Sequence, residues 1–313
     1  IDNYSDRFLH IYIWTPEEDW TWNMALMLSA RYRGMPLTRE IAELVIARTD
    51  WQGKVIDLTG RWQSKTAAYD WAITELMPGC HRNVLFSVGL RNDWHGAPWT
   101  LYDYTTASKG FAFWLDDRDE REQQIIREIC RAGAYKPGSI VMGYAKSGDD
   151  LLSTVNNYGI GYVVSDYYAN GSFWCAYPNR SFYQPEGKAK DVQPGKIYVS
   201  IIFSDGDNLQ FDQNALYEMW ANDTLRGEVP VGTTMAAGLQ EINPFLLEWF
   251  YKHKSDNDEL VAGPSGYQFI YGRDYQPEGY ETWLENNRRW LNAAGFHTAC
   301  FWHATYGLSL IHI

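Results

Sequence analysis

The chain has 313 residues, 45% of them apolar, and a formal net charge of −12 from 39 acidic and 27 basic side chains. This length allows one large α/β domain or a medium domain with a smaller companion, and the apolar fraction is enough for a buried core. No Lys/Arg run exceeds two residues, which excludes the basic footprint of a nucleic-acid binder and a basic membrane-surface helix. No apolar run reaches the ~18 residues of a membrane span. Cys80, Cys130, Cys175 and Cys300 are too scattered for a zinc or redox motif and are expected as buried free thiols. Fifteen Trp, 22 Tyr and 13 Phe are either an aromatic-rich core or flat faces that suit the stacking of sugar rings.

In chain order, apolar spacing predicts helices over 20–32 and 37–48, the second opened by Pro36 and Thr38, then a strand at 54–58. A helix over 64–77 stops at Pro78-Gly79, and a strand follows at 82–90. The Trp-, Gly- and Pro-rich stretch 91–106 reads as a loop and a domain boundary. Beyond it, strands are expected at 111–115, 139–145, 160–166, 196–204, 231–236, 259–265 and 297–303. Helices are expected at 118–132, 148–158, 208–222, 243–253 and 279–294. Strands apolar on both faces, each followed by a helix, argue for a parallel sheet covered by helices. The expected architecture is therefore a small α/β layer domain over 1–105 and a (β/α) barrel-like domain of seven or eight strands over 106–313. The chain starts at Ile1 without a signal-like stretch and ends in ATYGLSLIHI, so a piece of a longer protein is expected.

A barrel collects its chemistry on the loops after the strands. Those ends carry Asp116, Asp117, Lys146, Asp166, Asp205, Asp207, Asn208, Glu241, Asn243, Ser265, Tyr267 and His303. Capping accounts for Asp116 or Asp117. Asn243, followed by Pro244, reads as the cap of the next helix, with Glu241 close before it. Asp166 precedes a long loop, where capping explains it less well. His303 alone suits a structural histidine. The run Ser204-Asp205-Gly206-Asp207-Asn208 is harder to dismiss, because one cap leaves a second acid unexplained. Gly206 would supply a left-handed turn there. Two such carboxylates repel, raising one pKa and leaving the other ionised, as general-acid chemistry requires. A Ca²⁺ or Mg²⁺ ion on Asp205 and Asp207 is the lesser alternative, since calcium-loop spacing is absent; no cofactor is expected.

Serine-hydrolase, zincin, Walker A and dinucleotide motifs are missing. The segments IIFSDGDNLQFDQNALYEMW and VAGPSGYQFIY resemble the GxGYxYP family, classed by inference among glycoside hydrolases. The similarity runs from DLTGRW to the C-terminus. It departs at the naming motif, where Pro264 replaces the first glycine and Phe269-Ile270 replace tyrosine and proline. The resemblance implies a barrel-like C-terminal domain behind smaller α/β domains, and a sugar-processing role in secreted or surface bacterial proteins.

The first expectation is a glycoside hydrolase acting on a poly- or oligosaccharide. Asp205 or Asp207 is its acid, and the partner carboxylate comes from the same loop, Asp166 or Glu241. A carboxyl separation of about 5 Å would give retention and roughly 6.5–9.5 Å inversion. Asn208, Ser265 and Tyr267 would hold hydroxyls, with Trp174, Trp302 and His303 lining the sugar. The alternatives are a non-catalytic carbohydrate-binding protein and, behind it, a metal-dependent deacetylase or esterase.

Overall fold

Three buried residues in a row, Ile11, Tyr12 and Ile13, lie in β1 (His10–Trp14). Such a strand needs neighbours on both edges, and it has them. The computed structural model describes residues 2–90, 101–146, 150–186 and 191–301. In it β1 is flanked in parallel by β2 (Gly34–Thr38) and β3 (Lys54–Asp57). The helix α1 (Trp20–Tyr32) ends on Arg33 in the left-handed conformation, and α2 (Arg39–Arg48) follows β2. Pro36 belongs to β2 rather than to the helix start. β2 is an edge strand, where a missing N–H costs little.

The next sheet is introduced by α3 (Lys65–Glu75), whose cap Ser64 accepts the Ala67 N–H at 3.2 Å. Its strands are β4 (Val84–Ser87), β5 (Phe111–Phe113), β6 (Ile140–Gly143) and β7 (Gly161–Val164). All are parallel, in the order β5-β4-β6-β7. The links are α4 (Tyr102–Ser108), α5 (Glu120–Gly133) and α6 (Asp150–Asn156). α5 is capped by Asp119, which accepts the N–H groups of Arg121 and Glu122. A short helix α7 (Gly171–Trp174) follows β7.

A third parallel sheet holds β8 (Ile202–Phe203), β9 (Val231–Met235) and β10 (Asp258–Ala262), with β9 central. Its helices are α8 (Leu209–Phe211), a π turn at Asp212–Leu216, α9 (Tyr217–Asn222), α10 (Leu239–Ile242), α11 (Pro244–His253) and α12 (Tyr280–Ala294). Asn243 caps α11 by accepting the Leu246 N–H at 3.1 Å, with Pro244 at the first helical position. Thr298 and Cys300 bond to Ala262, and Tyr162 of β7 pairs with Phe269. The main core joins the second and third sheets through Phe86, Phe111, Phe113 and Phe250, while β1 and α2 share a smaller one.

Several expectations change. The chain is mixed α/β with parallel sheets, but the ladders among the described residues form three open sheets and a closed barrel is not shown. β4 pairs with both β5 and β6, so one sheet crosses the boundary expected at residue 105. The strand expected over 196–204 is reduced to Ile202–Phe203: β9 offers one edge, and among the described residues no strand covers the other. Ile197 and Val199 are accordingly 93% and 81% exposed. The cysteines are free, but only Cys130 and Cys300 are buried; Cys80 is half-buried and Cys175 exposed. No helix among the described residues is long and apolar enough to cross a membrane.

Candidate active site

The acidic run sits where β8 ends and α8 begins, clamped onto the end of β9. The Gly206 N–H donates to Thr234 Oγ1 at 2.9 Å, and that hydroxyl donates to the Phe203 carbonyl at 3.0 Å. A Cβ on Gly206 would stand 1.6 Å from the Thr234 carbonyl oxygen. Glycine is therefore required for close approach. The left-handed residue is Asp205, with φ of 77°, a conformation aspartate tolerates better than most. From the other side Gly263, just past β10, presses on Asp207; a Cβ there would lie 2.7 Å from the Asp207 Cβ. The turn closes as the Asn208 N–H donates to the Asp205 carbonyl at 3.1 Å.

This framework gives the two aspartates different surroundings. Asp205 is exposed, while Asp207 is enclosed deep among its neighbours yet keeps part of its surface open. Burial pushes the Asp207 carboxyl up to about 7, and the Asp205 charge adds to the rise against the pull of its own backbone N–H. Asn208 begins α8, but its side chain makes no capping bond, so its amide is not committed to the helix.

A third acid joins them that sequence reasoning passed over. Asp212 is fully buried, and its Oδ2 accepts the Ala236 N–H at 3.3 Å. Its Oδ1 has no hydrogen-bond partner among the described residues. Burial first, and then the Asp207 charge, lift its pKa well above the carboxylate range. The signal was present in the spacing: Leu209, Asp212, Leu216 and Trp220 form one buried stripe, and an acid on such a stripe calls for a reason. Asp212 also opens the π turn, a local widening often found at functional sites. The next residue, Gln213, bonds both ways to Ala169 at 2.9 and 3.0 Å, which draws the loop after β7 alongside. That loop carries Asp166, itself buried.

The other candidates go elsewhere. Glu241 lies exposed on α10, where partial burial raises its pKa and Arg289 pulls it back. The group that feels its charge is Tyr104, whose hydroxyl burial pushes up to about 12. Ser265 is fully buried and donates to the Ile270 carbonyl at 3.0 Å. The Tyr267 hydroxyl donates to the Gly138 carbonyl at 3.4 Å and accepts from Asn286 at 3.1 Å, with burial raising its pKa. Both therefore brace the loop after β10. Trp174 stacks on Phe245 and Tyr177, with ring centroids at 5.9 and 6.2 Å. With Phe173 these rings form an aromatic cluster around α7 and α11 in which Phe173, Tyr177 and Phe245 are exposed and Trp174 is half-buried. Trp302 and His303 lie outside the described residues. Among the described residues no three His, Cys, Asp or Glu side chains gather as metal ligands.

Three family models match the chain in succession. Residues 11–80 match the GxGYxYP_N second domain, 88–176 the GxGYxYP third domain, and 195–307 the "GxGYxYP putative glycoside hydrolase C-terminal domain". No curated protein sequence matches. A crystal structure of a "putative hydrolase" from Bacteroides thetaiotaomicron superposes with a TM-score of 0.79 at 18% identity, over 95% of this chain and 57% of that one. At that identity the likeness is one of fold, and the chain spans little more than half of that protein.

Proposed function

The chain belongs to the GxGYxYP family, and we propose that it is a glycoside hydrolase whose general acid is Asp207. The observation that carries this reading is one half-buried carboxyl, pressed between the ends of β8 and β10 beside an exposed second acid, with its pKa raised to about 7. Such a group holds a proton at working pH and releases it readily, which is what protonation of a departing glycosidic oxygen requires. Asp205, exposed beside it, is the carboxylate positioned to face the sugar carbon or a water. Asp166 on the neighbouring loop is the second candidate for that part. Asn208, whose amide makes no cap, would hold a substrate hydroxyl. Asp212 acts beneath, as a buried acid that touches Asp207 through its field and not the sugar.

The wider setting belongs to the same proposal. The second and third sheets are read as arcs of one barrel joined through the Tyr162–Phe269 bridge. Secretion and polysaccharide breakdown rest on the family alone. The test is a screen of poly- and oligosaccharides for released reducing ends with wild-type, Asp207→Asn and Asp205→Asn proteins. Loss of product by at least ~100-fold in Asp207→Asn, with the fold intact by circular dichroism, is expected. Full activity in that variant overturns the assignment.

A second reading is favoured by the rings of Phe173, Trp174, Tyr177 and Phe245. Mutually braced aromatics facing solvent suit stacking on sugars, so carbohydrate binding without cleavage would use this surface. Binding on a glycan array that is lost in Trp174→Ala, with no product from any bound glycan, would select it.

A further inference from the structure

The first sheet carries a crevice of its own. Side chains alternate along β1, so Tyr12 joins the main core while Ile11 and Ile13 join the smaller one. The helices follow suit, α1 packing into the main core and α2 into the smaller. They therefore cover opposite faces of the order β2-β1-β3, which makes β1 a topological switch point. Open α/β sheets leave room for a ligand at such a point, outside the carboxyl ends of the strands. A crevice of about 370 Å³ opens there, lined by Trp14, Thr15 and Glu17 at the end of β1, Thr38 and Arg39 where β2 meets α2, and Thr59 beyond β3.

The walls of this crevice are held in place. The Gly60 N–H donates to Glu18 Oε2 at 3.0 Å, tying the turn after β3 to the turn after β1. The Thr59 N–H donates to Asp57 Oδ1 at 3.0 Å, and the other oxygen of Asp57 pairs with Arg39. The Trp14 ring packs edge-to-face on Trp22, with centroids 4.7 Å apart. Polar capacity is left over. The Thr38 hydroxyl makes no capping bond. A guanidinium has five N–H donors, and Arg39 commits one of them to Asp57. The Thr15 hydroxyl donates to Glu17, which holds that carboxyl below its ordinary range and keeps it ionised.

The lining selects among ligands. Glu17 and Glu40, the latter also on the rim, bring two negative charges, while Arg39 is already matched by Asp57. A phosphate or carboxylate would meet net repulsion there. The N-terminus of α2 would attract an anion, but Glu40 in its first turn already complements that dipole. Vicinal hydroxyls are the better match. Each both donates and accepts, so they can bond in turn to carboxylates, hydroxyls and a guanidinium, and an indole suits the C–H face of a sugar ring. We propose that this crevice is a binding site for an uncharged sugar, with Trp14 as its apolar wall and Glu17, Arg39 and the three threonine hydroxyls as its hydrogen-bonding groups. No covalent bond is made or broken here. The site belongs to a different sheet from Asp207 and from the Trp174 rings, and it does not depend on hydrolysis.

Saturation-transfer NMR on the whole chain is the test, with maltose, cellobiose, lactose and N,N′-diacetylchitobiose as uncharged probes and glucuronate as the anionic comparator. Every protein carries Trp174→Ala and Asp207→Asn, so that neither of the other candidate surfaces supplies the signal. At least one uncharged probe should bind saturably and more tightly than glucuronate. Thr59→Met, which fills the crevice without adding charge, should weaken that binding at least about tenfold, as the loss of one or two ligand hydrogen bonds does. Glu17→Lys with Glu40→Lys, both exposed, should raise the ratio of glucuronate to uncharged binding at least about tenfold. Should Thr59→Met fail to fold, this charge reversal decides. Binding of none of the probes overturns the proposal, as does tighter binding of glucuronate by the parent. Affinities unmoved by folded Thr59→Met, or by the charge reversal, overturn it too.

Discussion

Replacing Asp207 by asparagine should stabilise the fold at alkaline pH, although it removes the proposed catalytic acid. The carboxyl rises from a reference value of 3.8 to about 7 in the folded chain. Its folded pKa is therefore the higher one, and the native state binds the extra proton. Stability linked to this group is fully present below the unfolded value and is lost as pH rises toward 7. A span of about three pH units at ~1.4 kcal/mol each gives an upper bound of ~4 kcal/mol. Because part of Asp207 stays open to solvent, roughly half of that is the reasonable expectation. Asparagine keeps the shape of the neutral acid and does not ionise, so it escapes the loss. Urea unfolding of both proteins at several values between pH 4 and 8.5 measures the pH-dependent part of the difference. The advantage of Asp207→Asn should grow across the range and level off above pH 8. A difference that is flat with pH, or that grows in the opposite direction, would refute the argument from burial.

The same geometry makes three other outcomes specific. Asp205→Asn removes the charge that helps to raise Asp207, so Asp207 should lose its proton at lower pH, read from the side-chain carboxyl resonance in an NMR titration; an unmoved midpoint would separate the two groups. Gly206→Ala forces a Cβ to within 1.6 Å of the Thr234 carbonyl oxygen and should cost about 3 kcal/mol or more, read as a fall in Tm. Thr234→Val keeps the volume but removes the hydroxyl that joins the Gly206 N–H to the Phe203 carbonyl. It should cost about 1–3 kcal/mol, measured by urea denaturation, with a larger loss of activity if the loop position matters.

The sequence disclosed what depends on neighbours in the chain. α11 could be placed by Asn243 and Pro244, whose roles as cap and first helical residue are local chemistry. α5 could be placed by its apolar spacing. β1 and β2 were missed, since HIYIW and GMPLT are short and their strand character comes from pairing with one another. The run IYVSII looked like a buried strand because it is apolar, but apolarity does not supply a partner, and most of it lies exposed. The acidic run stood out in the sequence, while its mechanics did not. The strained residue is Asp205, and Gly206 is needed only because Thr234 of a strand 28 positions further on lies against it. Ser265 and Tyr267 looked equally functional at a strand end, and only their partners reveal that they brace the loop.

Asp212 carries the matter one step further, because it shows how the site settles its charge. Two carboxyls, those of Asp207 and Asp212, lie deep in the protein and within each other's field. Among the described residues no ion pair reaches either of them, although Asp258, another buried acid, is paired with Arg226 at 2.7 Å. A buried carboxylate needs a counter-charge or a proton. Burial raises both, Asp207 to about 7 and Asp212 well above the ordinary carboxylate value, and the Asp207 charge adds to the rise at Asp212. The charge that adds to the rise at Asp207 comes from Asp205, on the solvent side, where a ligand would also arrive. A sugar that covers Asp205 would exclude water from both groups and strengthen their repulsion, so that binding itself would favour the protonated form of Asp207.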